Sequence, residues 1–297
     1  MSAPLFTVFT PTYDRAHTLE RVYKSLLSQT FSDFEWLIVD DGSKDGTNDL
    51  VRGFLADGKL KIRYIQQPNG GKHVAFNCGV REARGELFLP LDSDDSCIPT
   101  ALERFRAHWL AMSDTQRLDF SGITCLCKNE KGDFVGGDLP FPVIDGHPYQ
   151  ITSRYRLTGE KWGFHRTDVL RSYPFPEFEG ERFVPESLVW NRIGRCYEIR
   201  FINEALRHYF NSMDGLSSSS VKIRLLNPRA TFLYYSEVLM LPIKFRDRFR
   251  AAANLWRFAL QNKQWNKVFV IRGNMILVLA GFVPGVALAL LDQLRLK

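Results

Sequence analysis

Cysteine is scarce in this sequence, and its spacing excludes two common ways of stabilising a small domain. The 297 residues include five cysteines, an odd number, and contain no Cys-x-x-Cys pair. This pattern predicts neither a disulfide framework nor a structural zinc site, and it favours a reducing compartment. The N-terminus has a short apolar run without a basic leader, so we expect no signal peptide. The five cysteines are Cys78, Cys97, Cys125, Cys127 and Cys196.

Other familiar signatures are also missing. The segment Asn69-Gly70-Gly71-Lys72 lacks the G-x-x-x-x-G-K spacing of a P-loop. The glycine-rich, basic N-terminal signature of nucleotidyltransferases is absent as well. Residues 275–291 form an uncharged run of 17 residues that Pro284 interrupts. That length is at the lower limit for crossing a bilayer, so the sequence leaves open whether this run spans, lies on or avoids a membrane.

Charge is present in both signs but is distributed unevenly along the chain. Hydrophobic residues make up 45% and charged residues 24%, an ordinary globular composition. Residues 221–297 hold 13 Lys and Arg against 3 Asp and Glu, whereas residues 1–220 hold 26 against 30. A basic tail on a slightly acidic body indicates a polyanionic partner, either a membrane surface or nucleic acid. The alternative is a solvated basic face without a partner.

Strands alternate with helices along the first 95 residues. Apolar runs at 5–9, 34–39, 61–66 and 87–91 predict four strands, and residues 19–27, 46–56 and 72–83 have helical patterns. This alternation predicts an α/β fold with a doubly wound, mostly parallel sheet. Ligands of such sheets bind at the carboxyl ends of the strands, which is where polar clusters follow the first, second and fourth runs.

The pattern changes after about residue 115. A hairpin is predicted over 120–137, a helix over 185–197, a strand over 198–203 and a flexible loop at 211–220. Residues 230–260 have a helical pattern. We therefore expect a first half over about 1–115, a second half over about 116–220, and a basic, apolar helical extension over 221–297.

The strongest acidic cluster is Asp92-Ser93-Asp94-Asp95, which follows the fourth predicted strand. Three carboxylates in four residues repel one another unless a cation or hydrogen-bond donors offset them. Mg²⁺ and Mn²⁺ are hard cations that bind carboxylates together with substrate phosphates. A helix N-cap cluster is the alternative, because a helix is predicted soon after Pro99.

Two further polar clusters have both a functional and a plain structural interpretation. Asp40 and Asp41 follow the second strand, where a carboxylate can accept hydrogen bonds from a ribose or a base. Taken by itself, however, this cluster favours the alternative of a turn with the N-cap of the next helix. The Gly70-Gly71-Lys72 segment opens a helix, whose N-terminus favours an anion; a plain turn is the alternative. His73 and His165 have no functional pattern.

Four blocks taken together resemble the family 2 glycosyltransferases of the GT-A fold. They are FTPTYDR, VDDGSKDGT, NGGKHVAFNCGVREARGE and LFLPLDSDD, and they occur in the family's order within residues 6–95. A looser similarity continues to about residue 216, and no motif covers 221–297. The resemblance implies an enzyme that transfers a sugar from a nucleotide-sugar donor, most simply a UDP-sugar, with Mn²⁺ or Mg²⁺ as cofactor.

The resemblance also implies roles for individual residues. Asp41 is expected to hold the uracil or its ribose, with Asp40 beside it, and Lys72 occupies the family's basic position near the nucleotide. Asp94 is expected to bind the metal directly, while Asp92, with Ser93 next to it, contacts the ribose or a metal-bound water. The residues expected in the nucleotide-contacting loop are Thr10, Pro11, Tyr13 and Arg15.

A catalytic base and a further metal ligand are implied less directly. Inverting members of the family use an acidic residue, usually in an acidic dipeptide that opens a helix, to deprotonate the acceptor hydroxyl. Glu186 in Pro185-Glu186-Ser187 matches this position without the second acid, and Glu181 is the alternative. Near a helix N-terminus, Glu186 also has a purely structural interpretation. His208 is an additional candidate metal ligand, with an ordinary core or surface histidine as the alternative.

We therefore expect an inverting transferase that acts on a hydroxyl acceptor in polysaccharide or glycolipid synthesis. A polyprenyl-phosphate acceptor is the alternative within enzymes, since it would need no strong base. A basic nucleic-acid-binding module over 221–267 is the alternative of another class, but no recognised nucleic-acid module is present, so no nucleic acid is expected. Residues 244–291 are predicted to contact the cytoplasmic face of a membrane. An oligomer is compatible with the sequence.

Overall fold

The computed structural model describes residues 3–210, 220–269, 271 and 275–295. Most of the predicted loop at 211–220 therefore lies outside the described residues. Within the described part, nine strands form one mixed sheet in the order β3-β2-β1-β4-β8-β6-β9-β5, with β7 paired to β9. Helices cover both faces of this sheet, and a separate group of helices follows it.

The first half alternates strand and helix, as predicted. Four parallel strands, β1 to β4, lie next to one another in the order β3-β2-β1-β4. β1 runs three residues beyond the predicted run at 5–9, because Thr10, Pro11 and Thr12 continue in register with β2. The elements are β1 (Phe6–Thr12), α1 (Ala16–Leu27), β2 (Phe34–Asp40), α2 (Thr47–Asp57), β3 (Ile62–Gln66), α3 (Lys72–Glu82) and β4 (Leu87–Pro90).

The second half is mixed rather than parallel. β8 inserts antiparallel between β4 and β6, while β6 and β9 pair in parallel. The predicted hairpin is reduced to one isolated bridge between Lys128 and Phe134. The elements are β5 (Ser96–Cys97), α4 (Ala101–Leu110), α5 (Asp114–Asp119), β6 (Phe120–Lys128), β7 (Val143–Gly146), α6 (Pro148–Tyr155), β8 (Lys161–Arg166), α7 (Thr167–Ser172), α8 (Glu186–Ile193) and β9 (Glu198–His208).

Two apolar cores lie on opposite faces of the sheet. One contains Trp36, Phe105 and Phe164, all completely or almost completely buried, under α1 and α4. The other contains Phe9, Phe76 and Phe88, which pack against α3, α7 and α8. Alternate residues of each buried strand point to opposite faces, so the strands carry apolar side chains into both cores and leave polar groups at their ends.

The extension folds into helices that pack on one another. It comprises α9 (Ser220–Leu226), α10 (Pro228–Val238), α11 (Phe245–Gln261), α12 (Trp265–Val268), α13 (Met275–Ala280) and α14 (Phe282–Arg295). The predicted helix over 230–260 is thus two helices, separated around Pro242, which removes a backbone donor. No helix within the described residues is long and apolar enough to cross a bilayer.

The extension is joined closely to the body of the protein. Ala230 of α10 is completely buried in the second core. Ser153 of α6 donates a hydrogen bond to Asp247 of α11 at 2.9 Å. Arg192 of α8 forms an ion pair with Glu237 of α10 at 2.6 Å. The segment after residue 220 therefore contributes to the same folded unit as the sheet.

Candidate active site

Hydrogen bonds tie together the two loops that follow β1 and β2. Asp14 accepts a hydrogen bond from the Lys44 backbone N–H at 2.7 Å, and its own N–H donates to Ser43 Oγ at 2.9 Å. The Arg15 N–H donates to Thr47 Oγ1 at 3.2 Å. Because adjacent parallel strands end at the same edge, these contacts join the two loops into one wall at the edge where ligands of such sheets bind.

The predicted residues of the β1 loop lie on this wall, but they differ in exposure. Thr10 is completely buried, and its Oγ1 accepts a hydrogen bond from Trp36 Nε1 at 2.9 Å. Pro11 is buried too. Tyr13 is 45% exposed at the edge, and Arg15 precedes α1. Tyr13 and Arg15 are therefore better placed than Thr10 to offer side-chain contacts to a ligand.

Asp40 and Asp41 are buried, and both carboxylates already have hydrogen-bond partners. Asp40 accepts from the Ser43 N–H at 2.8 Å and from the Tyr64 hydroxyl at 2.5 Å. Asp41 accepts from the backbone N–H groups of Gly70 at 2.9 Å and Gly71 at 2.7 Å. The Asp41 carboxylate therefore holds the start of α3 in place.

Gly71 explains how the start of α3 approaches the segment before α8. Its φ of +97° is in the region that favours glycine, and a Cβ there would lie 2.2 Å from the Arg182 carbonyl oxygen. The close backbone approach places Lys72, the first residue of α3, beside Glu186, the first residue of α8. Residues that are 114 positions apart in the sequence thus meet at one point.

Lys72 connects two predicted site residues. Its Nζ lies 2.7 Å from Asp92 Oδ1 and 2.8 Å from Glu186 Oε1. Burial disfavours charge on Lys72, but the carboxylates of Asp92 and Glu186 outweigh it and raise the pKa of Lys72. Burial acts against charge on Asp92 too, yet Lys72 and Arg207 together lower the pKa of Asp92. Lys72 therefore lies between the side chains of Asp92 and Glu186 as a charged partner of both.

Asp94 and Asp95 continue the acidic turn in different ways. Asp95 is 1% exposed; it accepts a hydrogen bond from the Phe210 N–H at 3.0 Å and lies 3.3 Å from Arg207. The Asp94 backbone carbonyl accepts a hydrogen bond from Arg21. Within the described residues, its carboxylate has no ion pair, and burial followed by the charge of Asp92 raises the pKa of Asp94.

The chemistry of this turn fits a divalent cation that is shared with a substrate. A cation at Asp94 would relieve both effects that raise its pKa, and Mg²⁺ typically uses one or two carboxylates plus substrate phosphates. Within the described residues, no three His, Cys, Asp or Glu side chains converge as a metal site. The candidate set Asp92, Asp94 and His208 is therefore not assembled as three protein ligands: Asp92 is paired with Lys72, and His208 lies opposite Ser96 in β9.

Glu181, the alternative base, is not brought to this cluster. Its carboxylate accepts hydrogen bonds from the backbone N–H groups of Arg229 at 2.8 Å and Ala230 at 2.9 Å, and it pairs with the Arg229 side chain at 3.1 Å. It is 7% exposed. Glu181 satisfies the otherwise unpaired N–H groups at the start of α10, so its position supports a structural role.

A cavity of about 770 Å³ extends from the Lys72 cluster to the extension. Its walls come from β6, α6, β8 and α8 of the body, and from α10 and α11. His165 and Trp190 line it as a stacked pair, with ring centroids 4.8 Å apart. Burial lowers the pKa of His165 to about 4, so the ring is neutral at physiological pH.

Sequence reasoning missed several residues of this cavity. Glu160 and Arg207 lie 3.7 Å apart in its wall, and burial raises the pKa of Glu160. His165 has a place in the cavity although its sequence context has no functional pattern. The available signal was weak: alternating buried residues around Trp162 and Phe164 indicate a strand, but nothing local indicates which side chains face a ligand.

Comparison with known proteins places these features among enzymes of one kind. Residues 7–115 match the family described as Glycosyl transferase family 2. An uncharacterized glycosyltransferase of Nostoc is 41% identical over 98 residues, covering 33% of this chain and 30% of that protein. Chondroitin synthase of Escherichia coli is 33% identical over 155 residues, covering 52% and 21%. The hyaluronan synthase of Pasteurella multocida is 36% identical over 171 residues, covering 57% and 16%. The chain spans less than a third of the length of these relatives.

Solved structures share the fold. A crystal structure of S. aureus TarS 1–349 in complex with UDP has a TM-score of 0.59 at 21% identity, covering 87% of this chain and 70% of that one. The mannosyltransferase PcManGT of Pyrobaculum calidifontis, in complex with GDP-Man and Mn²⁺, has a TM-score of 0.56 at 20% identity, covering 98% and 81%. At these identities, the similarity concerns the arrangement of the sheet and helices.

Proposed function

Because the chain belongs to glycosyl transferase family 2 through residues 7–115 and has the GT-A fold, we propose that it transfers a sugar from a nucleotide-sugar to a hydroxyl acceptor with inversion. The observation that carries the proposal is the bridge of Lys72 between Asp92 and Glu186. It joins the acidic turn of the donor edge to a carboxylate at the end of a cavity large enough for sugar units. Polysaccharide synthases among the relatives support a glycan product.

In this mechanism, the donor diphosphate lies over the turn of Asp92 and Asp94. A divalent cation bound by Asp94 would neutralise charge on the leaving diphosphate. Glu186 takes the proton of the acceptor hydroxyl while that oxygen bonds to the anomeric carbon and the bond to the diphosphate breaks. Glu186 is 46% exposed and lines the cavity, so an acceptor bound there can reach it. Inversion requires that this acceptor attack the anomeric carbon from the face opposite the nucleotide.

A donor screen tests this proposal. The purified chain is incubated with UDP-, GDP- and other nucleotide-sugars, with Mn²⁺, Mg²⁺ or excess chelator, and release of the free nucleotide is measured. We expect hydrolysis of one donor, most simply a UDP-sugar, that depends on the metal. The absence of nucleotide release and of nucleotide binding by calorimetry, across all donors, would contradict a donor-binding role.

A peripheral membrane contact is part of the proposal, but most apolar residues of α11 are covered. Phe245, at the start of α11, is 71% exposed, whereas Ala252 and Trp256 are 0% and 3% exposed beneath the other extension helices. Arg257 is held by Asp292 through paired hydrogen bonds. An exposed apolar face belongs instead to α13 and α14: Ile276, Leu279, Val283, Leu290 and Leu294 are 53–87% exposed.

This exposed face belongs to the basic extension, residues 221–297. The combination supports binding to the surface of an anionic membrane, at its cytoplasmic side. The test is co-sedimentation with phosphatidylserine vesicles at low salt. We expect Val283→Gln/Leu290→Gln to reduce sedimentation strongly. Leu55→Gln/Leu118→Gln removes two exposed leucines from the body and should not change it. If both double variants sediment with the vesicles as the wild type does, the membrane role is ruled out. It is also ruled out if the wild type forms dimers that Val283→Gln/Leu290→Gln abolishes, because the exposed face would then bind a second copy of the chain.

A further inference from the structure

The rim of the cavity carries cations that the catalytic cluster does not use. Arg156 ends α6, and Arg246 and Arg250 extend from the first two turns of α11; all three line the cavity and are exposed. Lys244, at the start of α11, is a fourth. Within the described residues, the side chains of Arg156, Arg246 and Arg250 form neither ion pairs nor hydrogen bonds.

The acids in the same cavity are already engaged. Asp92 and Glu186 share Lys72, and Glu160 lies 3.7 Å from Arg207. Asp247 also lines the cavity, where it accepts a hydrogen bond from Ser153. Within the described residues, none of these carboxylates forms an ion pair with a cation of the rim, so the charge of these cations is open to a ligand that enters the cavity.

The position of these cations is unfavourable for the helix that carries two of them. Arg246 lies in the first turn of the 17-residue α11, with Lys244 at its N-cap. A cation near a helix N-terminus opposes the helix dipole. The turn is nevertheless held firmly against α6, because the Lys244 Nζ donates to the Arg154 carbonyl at 3.3 Å and Asp247 binds Ser153. An anion at this rim would offset both the dipole and the mutual repulsion of the cations.

We propose that the acceptor is a polyanionic glycan chain, whose carboxylate or phosphodiester groups bind Arg156, Lys244, Arg246 and Arg250 at the rim while its terminal hydroxyl reaches Glu186. This inference rests on the proposed function, since it names the class of acceptor for the same cavity. Arginine suits both anions, because its planar guanidinium can donate two parallel hydrogen bonds to a carboxylate or a phosphate.

The test measures binding of three probes of similar length by calorimetry. They are a hyaluronan oligosaccharide with carboxylates, a short poly(glycerol phosphate) with phosphodiesters, and the neutral oligosaccharide chitotetraose. We expect one of the two anionic probes to bind the wild type more tightly than chitotetraose does, and to weaken as salt is raised. Which anionic probe binds identifies the anion.

The double substitution Arg246→Gln/Arg250→Gln is expected to lower the affinity for that anionic probe roughly tenfold. The matched control Arg52→Gln/Lys131→Gln removes two exposed cations outside the cavity and should bind like the wild type. Urea unfolding of both double variants verifies that each is folded. Equal binding by the rim variant and the wild type, tighter binding of the neutral probe, or no binding of either anionic probe to the wild type would overturn the inference.

Donor hydrolysis by the wild type separates this inference from the proposed function. In one outcome, the wild type releases nucleotide from a donor while the Arg246→Gln/Arg250→Gln variant binds the anionic probe as tightly as the wild type does. That result would support the proposed glycosyltransferase activity and contradict the polyanionic acceptor. If the wild type neither binds nor hydrolyses any nucleotide-sugar, the proposed function itself fails.

Discussion

The two acidic turns at the edge of the sheet differ in how far their carboxylates are already used. Asp40 and Asp41 are buried, and backbone N–H groups and a tyrosine hydroxyl occupy their oxygens. Asp92 shares a lysine with Glu186, and Asp94 has a raised pKa without an ion pair within the described residues. Similar motifs thus differ in their contacts: the carboxylates of the first turn hold neighbouring loops in place, and we propose that those of the second turn bind a ligand. Substitutions should separate them, in stability at the first turn and in activity at the second.

The largest expected effect is the loss of transfer in Asp94→Ala. We expect turnover to fall roughly a thousandfold or more, with the urea unfolding midpoint unchanged, because this carboxylate forms no ion pair within the described residues. Excess chelator should inactivate the wild type, and Mn²⁺ or Mg²⁺ should restore it. Asp49→Ala, which removes an exposed carboxylate from α2, is the control. Full turnover in chelator would contradict the metal role.

Asp41→Ala should destabilise the protein by about 3 kcal/mol, because the N–H groups of Gly70 and Gly71 lose a charged acceptor. The measurement is urea unfolding followed by tryptophan fluorescence. UDP affinity, measured by calorimetry on the folded protein, should fall as well if Asp41 also contacts the nucleotide. A free energy of unfolding equal to that of the wild type would show that the first turn does not depend on this side chain.

Glu186→Gln should keep UDP affinity but reduce turnover by about a hundredfold, because the amide cannot accept the proton. Glu181→Gln is the informative partner variant: it should lower stability, since Glu181 holds the start of α10, and leave turnover of the folded enzyme near that of the wild type. Wild-type turnover by Glu186→Gln would indicate an acceptor that is already an anion, such as a polyprenyl phosphate.

The smallest effect concerns His165, whose pKa burial lowers from 6.5 to about 4. The unfolded chain takes up a proton as the pH falls below 6.5, whereas the folded protein does so only near 4. Stability from this group is therefore present above the unfolded pKa and lost as the pH falls toward the folded one. From about pH 7.5 to about pH 5, the loss is about 2 kcal/mol. His165→Phe, which keeps the stack on Trp190, should abolish that part of the pH dependence in urea unfolding; an unchanged acid limb would assign it to other groups.

The parallel half of the fold could be predicted because its signals are local. Buried strands such as β2 are continuous apolar runs, and α1 has a clear apolar stripe from Leu19 to Leu26. β8 was not predicted from the sequence, because it has only six residues, includes Gly163 and has charged residues at both ends. Its insertion between β4 and β6 depends on pairing with strands that are distant in sequence, which periodicity does not encode.

The residues of the candidate site also divide into those that the sequence could predict and those that it could not. Motif resemblance located Lys72, Asp92 and Glu186, and the structure brings these three together. It could not reveal that the Asp41 carboxylate is occupied by backbone groups, since that follows from the path of the chain around Gly71. Glu160 and Arg207 were missed because each is an ordinary charged residue until β8 and β9 bring them into one wall.

The shared wall of the cavity has a consequence for how such enzymes diversify. Tyr234, Val238 and Ile243 from the extension face the same space as α6 and α8 of the body, whereas the loops after β1, β2 and β4, which form the proposed donor edge, come before residue 96. Changes in the segment 228–250 can therefore reshape the cavity beside Glu186 without altering the strands that precede those loops. Grafting that segment from a relative is a direct way to redirect what the enzyme builds, and removing it would leave the cavity without one side.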